Sequence, residues 1–322
     1  MLKPLTRQLV YAHPNSELYY YDPLAPPSLR HADPILLIFA QINRPTILDL
    51  HPTRSFIRSL LNQGLEVFFL NWRYPSHLGS TLADYIFTDI HQAVESAAQY
   101  SANKKVHLCG ICQGGYFCAC YISIFGEKIA SFIPIVTPID FCVPQNRLFQ
   151  ICRYLNLEEM AAFSERIPGV FIRYLLDNIA PFHLSYKKFK AQKKYVQLQN
   201  TADQEIFQAL NDWSEDYPDQ NSGVFKEFIQ TAVQQNSLVT GDLQIGSHRI
   251  KLSALTMPIL NIYATQDHLC PVSSVTALSR YHNSHCYREH AFEGGHVGVF
   301  ASETGIAVMP PVIRQWVKTR SD

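Results

Sequence analysis

Charge of either sign is scarce in this chain. Only 17% of the 322 residues are charged, and 27 basic residues stand against 27 acidic ones for a formal net charge of zero. A nucleic-acid partner would have no electrostatic footprint to follow. Long apolar runs are lacking as well. "ILLIFA" (35–40) is strand-sized and far short of a bilayer span, so the chain is not read as transmembrane. The opening residues "MLKPLTRQLVYAHP" lack the apolar block and small-residue cleavage site of a secretory leader. Repeats and low-complexity tracts are missing too. A cytoplasmic protein is expected, with its eight cysteines reduced and most of them buried as small hydrophobes.

What is present is apolar substance and a rhythm. Hydrophobic residues make up 47% of the chain, enough for a sizeable core. From about residue 34 short apolar runs alternate with amphipathic segments. "ILLIFA" reads as a buried strand, "PTRSFIRSLLNQG" (52–64) as a helix ending at Gly64, and "LEVFFLNW" (65–72) as the next strand. The stretch 80–100 carries Leu82, Ile86, Ile90, Ala93, Val94 and Ala97 on one helical face, with Thr81 and Asp84 as an N-terminal capping pair. "KVHLC" (105–109) and "IASFIPIVTPI" (129–139) read as further strands around a glycine-rich turn and a helix. This succession predicts an α/β fold with a mostly parallel sheet and helices on both faces.

The alternation stops between 142 and 250, where helix formers and aromatics prevail, broken by "APFH" (180–183) and "DYPDQNSG" (216–223). It resumes with strands at 257–265 and 284–292 and with helices near 272–281 and 303–319. The expected organisation is therefore an α/β core of residues 1–141 and 251–322, with a largely helical cap inserted at 142–250. That insertion reads equally well as a lid over a site and as a dimerisation surface.

"HLCGICQGGYFCACY" (107–121) holds the chemistry-bearing pattern. Cys109 and Cys112 could pair on a structural zinc ion, but such a site needs four ligands and no second C-x-x-C follows. They could form a redox dithiol, although that motif does not ask for two glycines after the second sulfur. The third reading is a nucleophile elbow. Gly110-Ile111-Cys112-Gln113-Gly114 matches G-x-S-x-G with sulfur in place of the serine oxygen, between a strand and a helix. The glycines Gly110, Gly114 and Gly115 let backbones approach a strained turn, and the Gln113 N–H then faces any anion formed beside Cys112.

An elbow needs an acid and a histidine later in the chain. Asp267 follows the strand "ILNIYAT", and His296 lies in the loop "EGGHVG", with glycines on either side of the imidazole. His290 falls inside a strand, and His268 follows the acid too closely to be its partner. Cys112, Asp267 and His296 are thus the candidate triad, in the order such folds use.

With these residues in view, the sequence resembles the poly(3-hydroxyalkanoate) synthases. "GICQGG" (110–115) is similar to their lipase-like box with a cysteine nucleophile, "NIYATQDHLCP" (261–271) to their aspartate loop, and "GGHVGVF" (294–300) to their histidine loop. "INRPTILDL" (42–50), "NWRYP" (71–75), "TPIDF" (137–141) and "FIQTAVQQNSLVTGDLQIG" (228–246) carry the likeness through most of the chain. Asn71 and Arg73 stand where short-subunit members more often have an acid and a glycine. The resemblance implies an α/β-hydrolase fold and an acyltransferase that polymerises (R)-3-hydroxyacyl-CoA through a Cys112 acyl-enzyme. It implies an oxyanion hole of the Gln113 N–H and an N–H near Ile42, and no metal or bound cofactor, coenzyme A being carried by the substrate. Because the long N-terminal domain of single-subunit synthases is missing, it implies the short-subunit type, with a non-catalytic companion subunit, a homodimer and a polyester granule surface as partners. The alternatives left open are a cysteine hydrolase, acting as thioesterase or intracellular polyester depolymerase, and a non-catalytic scaffold.

Overall fold

The computed structural model describes residues 4–30, 33–74, 77–178 and 200–320. Its centre is an eight-stranded sheet formed by β1 (Gln8–Ala12), β2 (Ser16–Tyr21), β3 (Ile35–Ile38), β4 (Val67–Trp72), β5 (Val106–Ile111), β6 (Ile129–Ile135), β7 (Ile259–Ala264) and β8 (Tyr287–Phe292). The strands lie in the order β1-β2-β4-β3-β5-β6-β7-β8. From β4 to β8 every neighbouring pair is parallel. β3 and β5 are buried along their whole length, as strands covered on both faces must be.

The helices fill both faces. α1 (Phe56–Asn62) is capped by the Ser55 hydroxyl, which accepts from the Arg58 N–H, so the helix starts four residues later than the sequence pattern suggests. α2 (His91–Ala98) continues without a break from π-type turns over Asp84–Ile90. The predicted apolar face of Leu82, Ile86, Ile90, Ala93, Val94 and Ala97 is fully buried. Thr81 and Asp84 exchange hydrogen bonds at its start, 2.7 Å from the Thr81 N–H to the carboxylate and 3.3 Å in return. α3 (Gln113–Phe125) follows β5 directly.

The antiparallel hairpin β1–β2 extends the sheet beyond what the sequence pattern disclosed. A buried carboxylate anchors it: Asp89 accepts from the Ser16 hydroxyl at 2.5 Å and lies 2.8 Å from His13 Nδ1. Asn71 and Arg73, on and just past β4, both turn to Glu17 of this hairpin, at 3.4 Å and 3.9 Å.

Residues of the insertion form α4 (Arg147–Cys152), α5 (Leu157–Phe163), α6 (Gly169–Asp177), α7 (Thr201–Glu215), α8 (Ser222–Phe228), which runs on as a π-type turn over Ile229–Gln234, and α9 (Ser237–Thr240). Short ladders, Arg166–Ile167 with Gln220–Asn221 and Gln244–Ile245 with His248–Arg249, brace them. The expected break at 180–183 lies outside the described residues. After the insertion come β7, α10 (Val272–Val275), β8, α11 (Gly298–Ala301) and α12 (Glu303–Lys318). Among the described residues no helix is long and apolar enough to cross a membrane.

Candidate active site

Cys112 stands between the last residue of β5 and the first of α3, with φ 55° and ψ −126°. A side chain in that region costs about 1–3 kcal/mol and persists only where its surroundings enforce it. Here the Cys112 N–H donates to the Ile135 carbonyl of the next strand at 2.9 Å, and its own carbonyl accepts from Gly115 at 2.9 Å. The glycines make that enforcement possible. A Cβ on Gly115 would run into Thr137 Oγ1, one on Gly114 into the Ile38 carbonyl, and one on Gly110 into Gly115 itself.

Asp267 and His296 reach the sulfur from loops beyond the carboxyl ends of β7 and β8, where open α/β sheets place their ligands. Both residues are largely covered: Asp267 is 7% exposed, and 14% of the His296 side chain is accessible. Asp267 Oδ2 lies 2.7 Å from His296 Nδ1. Its other oxygen accepts the N–H groups of Leu269 at 2.8 Å and Cys270 at 2.9 Å. This second set of bonds folds the loop back on itself and brings Cys270 up against Cys112.

No spacing or motif singles out Cys270, yet it belongs to the site. The sulfurs of Cys112 and Cys270 and a ring nitrogen of His296 lie within 4.8 Å of one another. The Cys112 thiol is held well below its ordinary range by the hydrogen bond from Cys270, which together with the His296 charge and the Gln113 N–H outweighs burial. Cys270, in contrast, is pushed up by burial and by its thiolate neighbour and remains a donor. Burial alone draws His296 down, but the Asp267 carboxylate and the Cys112 thiolate outweigh it and carry it up to about 10. The two shifts run in the directions that favour a thiolate at Cys112 and an imidazolium at His296.

Cys109 has no part in this. It is buried in β5, where desolvation raises its thiol, and like the other cysteines it is in no disulfide. The cluster that Cys112 joins is made with Cys270 and His296, not with Cys109. His290 is a β8 residue, and His268 is exposed at the rim of the outer cleft.

Gln113 contributes twice. Its N–H faces the Cys112 sulfur, and its side-chain oxygen accepts the Gln41 N–H at 3.0 Å. Gln41 lies in the loop after β3, next to Ile42. Its carbonyl accepts from Tyr74 at 2.7 Å and from Gln220 of the insertion at 3.1 Å. With Gln41 so fixed, Ile42 lines the same cavities as Cys112.

Two spaces meet at the sulfur. The inner one, about 70 Å³, is walled by Phe149, Ile172, Leu175, Phe225 and Phe228 from the insertion and by Phe141 and Leu269 from the core. The outer one, about 380 Å³, runs past His296, Trp213, Tyr217 and His268 to the surface. Cys112 is only 6% exposed.

Comparison with known proteins gives the family and the fold. Residues 34–302 match a family described as alpha/beta hydrolase fold. The chain is 33% identical over 318 residues to a poly(3-hydroxyalkanoate) polymerase subunit PhaC of Allochromatium vinosum, covering 98% of this chain and 88% of that one. A poly(3-hydroxyalkanoate) polymerase subunit PhaC of a Synechocystis species is 32% identical over 327 residues, covering 98% and 84%. Among solved structures, a thermophilic esterase from Thermogutta terrifontis superposes with a TM-score of 0.55 at 16% identity, covering 98% of both chains. The mouse alpha/beta hydrolase domain-containing protein 10 gives 0.56 at 13%, covering 98% and 99%. These last two are similar in fold alone.

Proposed function

This chain belongs to the α/β-hydrolase-fold family and, within it, to the poly(3-hydroxyalkanoate) polymerase subunits, and from that premise we propose that it polymerises (R)-3-hydroxyacyl-CoA through an acyl-enzyme on Cys112. The observation that carries the reading is the Cys112 sulfur within 4.8 Å of a ring nitrogen of His296, whose other nitrogen lies 2.7 Å from Asp267. The thiolate attacks the thioester carbonyl, and the Gln113 N–H with the Ile42 N–H steadies the oxyanion. Coenzyme A leaves as a thiol with the His296 proton, and the acyl group stays on sulfur. Thiol–thioester exchange is nearly isoenergetic, which suits cysteine to this substrate. His296, now neutral, then takes the proton of a 3-hydroxyl, whose oxygen attacks the acyl-enzyme and lengthens the ester. Asp267 orients the imidazole and balances its charge. No bound cofactor enters the scheme.

The insertion has a role in it. A hydroxyl must resolve the acyl-enzyme in preference to water, and the aromatic wall of Phe141, Phe149, Phe225 and Phe228 supports water exclusion around the acyl group. The small inner cavity favours a short hydroxyacyl unit. The proposal includes cytoplasmic action at a polyester granule surface, as a homodimer and with a non-catalytic companion subunit. The cysteine-hydrolase alternative has the same triad, and product analysis separates the two. With 3-hydroxybutyryl-CoA the polymerase yields insoluble polyester with coenzyme A release, and Cys112→Ala yields neither. Free 3-hydroxybutyrate alone would make the protein a thioesterase.

A further inference from the structure

Cys270 makes no bond to the substrate and moves no proton in the acyl transfer described above, yet its sulfur meets the two groups that do the chemistry. We propose that Cys112 Sγ, Cys270 Sγ and His296 Nε2 form a binding site for a thiophilic divalent cation of the Zn²⁺ kind, and that filling it switches acyl transfer off.

The donor set is the first argument. Two thiolates and one imidazole with a fourth position open is an established zinc arrangement, and soft sulfur selects against Mg²⁺ and Ca²⁺, which want oxygen. Geometry is the second. The three ligand atoms already lie within 4.8 Å of one another. A tetrahedral ion with zinc–sulfur and zinc–nitrogen bonds of ordinary length would hold them about 3.5–3.8 Å apart, a contraction of roughly 1 Å. The outer shell is the third. Asp267 Oδ2 at 2.7 Å from His296 Nδ1 fixes the ring so that Nε2 points at the sulfurs, the carboxylate–histidine–metal relay that strengthens such sites. Charge is the fourth: two thiolates neutralise a divalent ion.

All three ligand atoms bind only without their protons, so filling the site releases whatever protons they carry to solvent. Affinity therefore rises with pH. The ion occupies both the attacking lone pair and the base nitrogen, which is why turnover stops. An acyl group on Cys112 blocks the same sulfur, so substrate protects. The ion's path in is the outer cleft, which also leaves room for a solvent ligand.

The switch rests on the function proposed above, but the metal site itself does not, and the test separates the two. Chelator-treated protein is titrated with Co²⁺, and the thiolate-to-cobalt charge-transfer band is followed, then reversed with Zn²⁺. In parallel, coenzyme A release from 3-hydroxybutyryl-CoA is measured against Zn²⁺ and Mg²⁺ in wild type, Cys270→Ala and the volume-conserving Cys270→Ser, each relative to its own metal-free rate. We expect a band that saturates at one equivalent, inhibition by Zn²⁺ and not Mg²⁺, and at least a ~10-fold weaker zinc response in both variants. No charge-transfer band in wild type, or equal zinc sensitivity with and without the Cys270 sulfur, overturns the site. A stoichiometric band in a protein that releases no coenzyme A would leave the site standing and remove the polymerase reading instead.

Discussion

The side-chain oxygen of Gln113 accepts the main-chain N–H of Gln41 at 3.0 Å, tying the turn that bears the nucleophile to the loop that bears Ile42. The two proposed oxyanion donors are thus held by one another's loops. Gln113→Ala should leave the Gln41 N–H unpaired, at about 1–3 kcal/mol of stability, and let the Ile42 loop drift. A fall in kcat of about 10²-fold with little change in KM is expected, since a lost oxyanion donor costs that much. Gln113→Glu keeps an acceptor and should lose less. Equal kcat in wild type and Gln113→Ala would separate the Ile42 loop from the chemistry.

The backbone at Cys112 is strained, with φ at 55°, and glycine would relieve it. Both Cys112→Ala and Cys112→Gly should be inactive. Cys112→Gly should nevertheless be the more stable of the two, by about 1–2 kcal/mol in denaturant unfolding, because only it escapes the steric penalty. An ordering with alanine above glycine would mean the turn carries no strain.

Reactivity should report the charge state of the site. The Cys112 thiol is lowered and His296 raised, so thiolate and imidazolium coexist between the two values. Alkylation of Cys112 by iodoacetamide should stay fast from neutral into mildly acidic solution, where an ordinary thiol is protonated. Asp267→Asn removes the carboxylate that holds the imidazolium, so His296 gives up its proton at lower pH and the thiol climbs back. At about pH 6 the alkylation rate should then drop by ~10-fold or more, because the reactive thiolate becomes the minor form there. An unchanged pH profile would show that the aspartate does not govern the pair.

Phe228 lies in the wall of the inner cavity and stacks edge-on with Tyr116 at 5.4 Å and Phe117 at 5.9 Å. Phe228→Ala should open space for water beside the acyl-enzyme, at about 3–5 kcal/mol of stability. The share of free hydroxyacid among the products should rise. A product ratio equal to wild type in a folded variant would argue that the insertion does not keep water out.

Much of this site was legible because its signals are local. Strand, glycine turn and helix around Cys112 are contiguous, and Asp267 and His296 each follow a strand of strong β character. The apolar stripe from Leu82 to Ala97 announced its buried face by spacing. Cys270 escaped notice because its position depends on Asp267 turning the loop through the Leu269 and Cys270 N–H groups, a side-chain event that no spacing rule encodes. The Gln113–Gln41 bond spans 72 positions and was hidden for the same reason. The hairpin β1–β2 was missed because its sides are tyrosines and polar residues, whose place is set by the distant Asp89 and β4.

Cys112, Ile42, Leu176 and Leu269 are shared walls of the inner cavity and the outer cleft. Whatever becomes bonded to the sulfur therefore stands in the doorway between two rooms. An acyl group carried there, as the proposed mechanism has it, would itself part the two spaces.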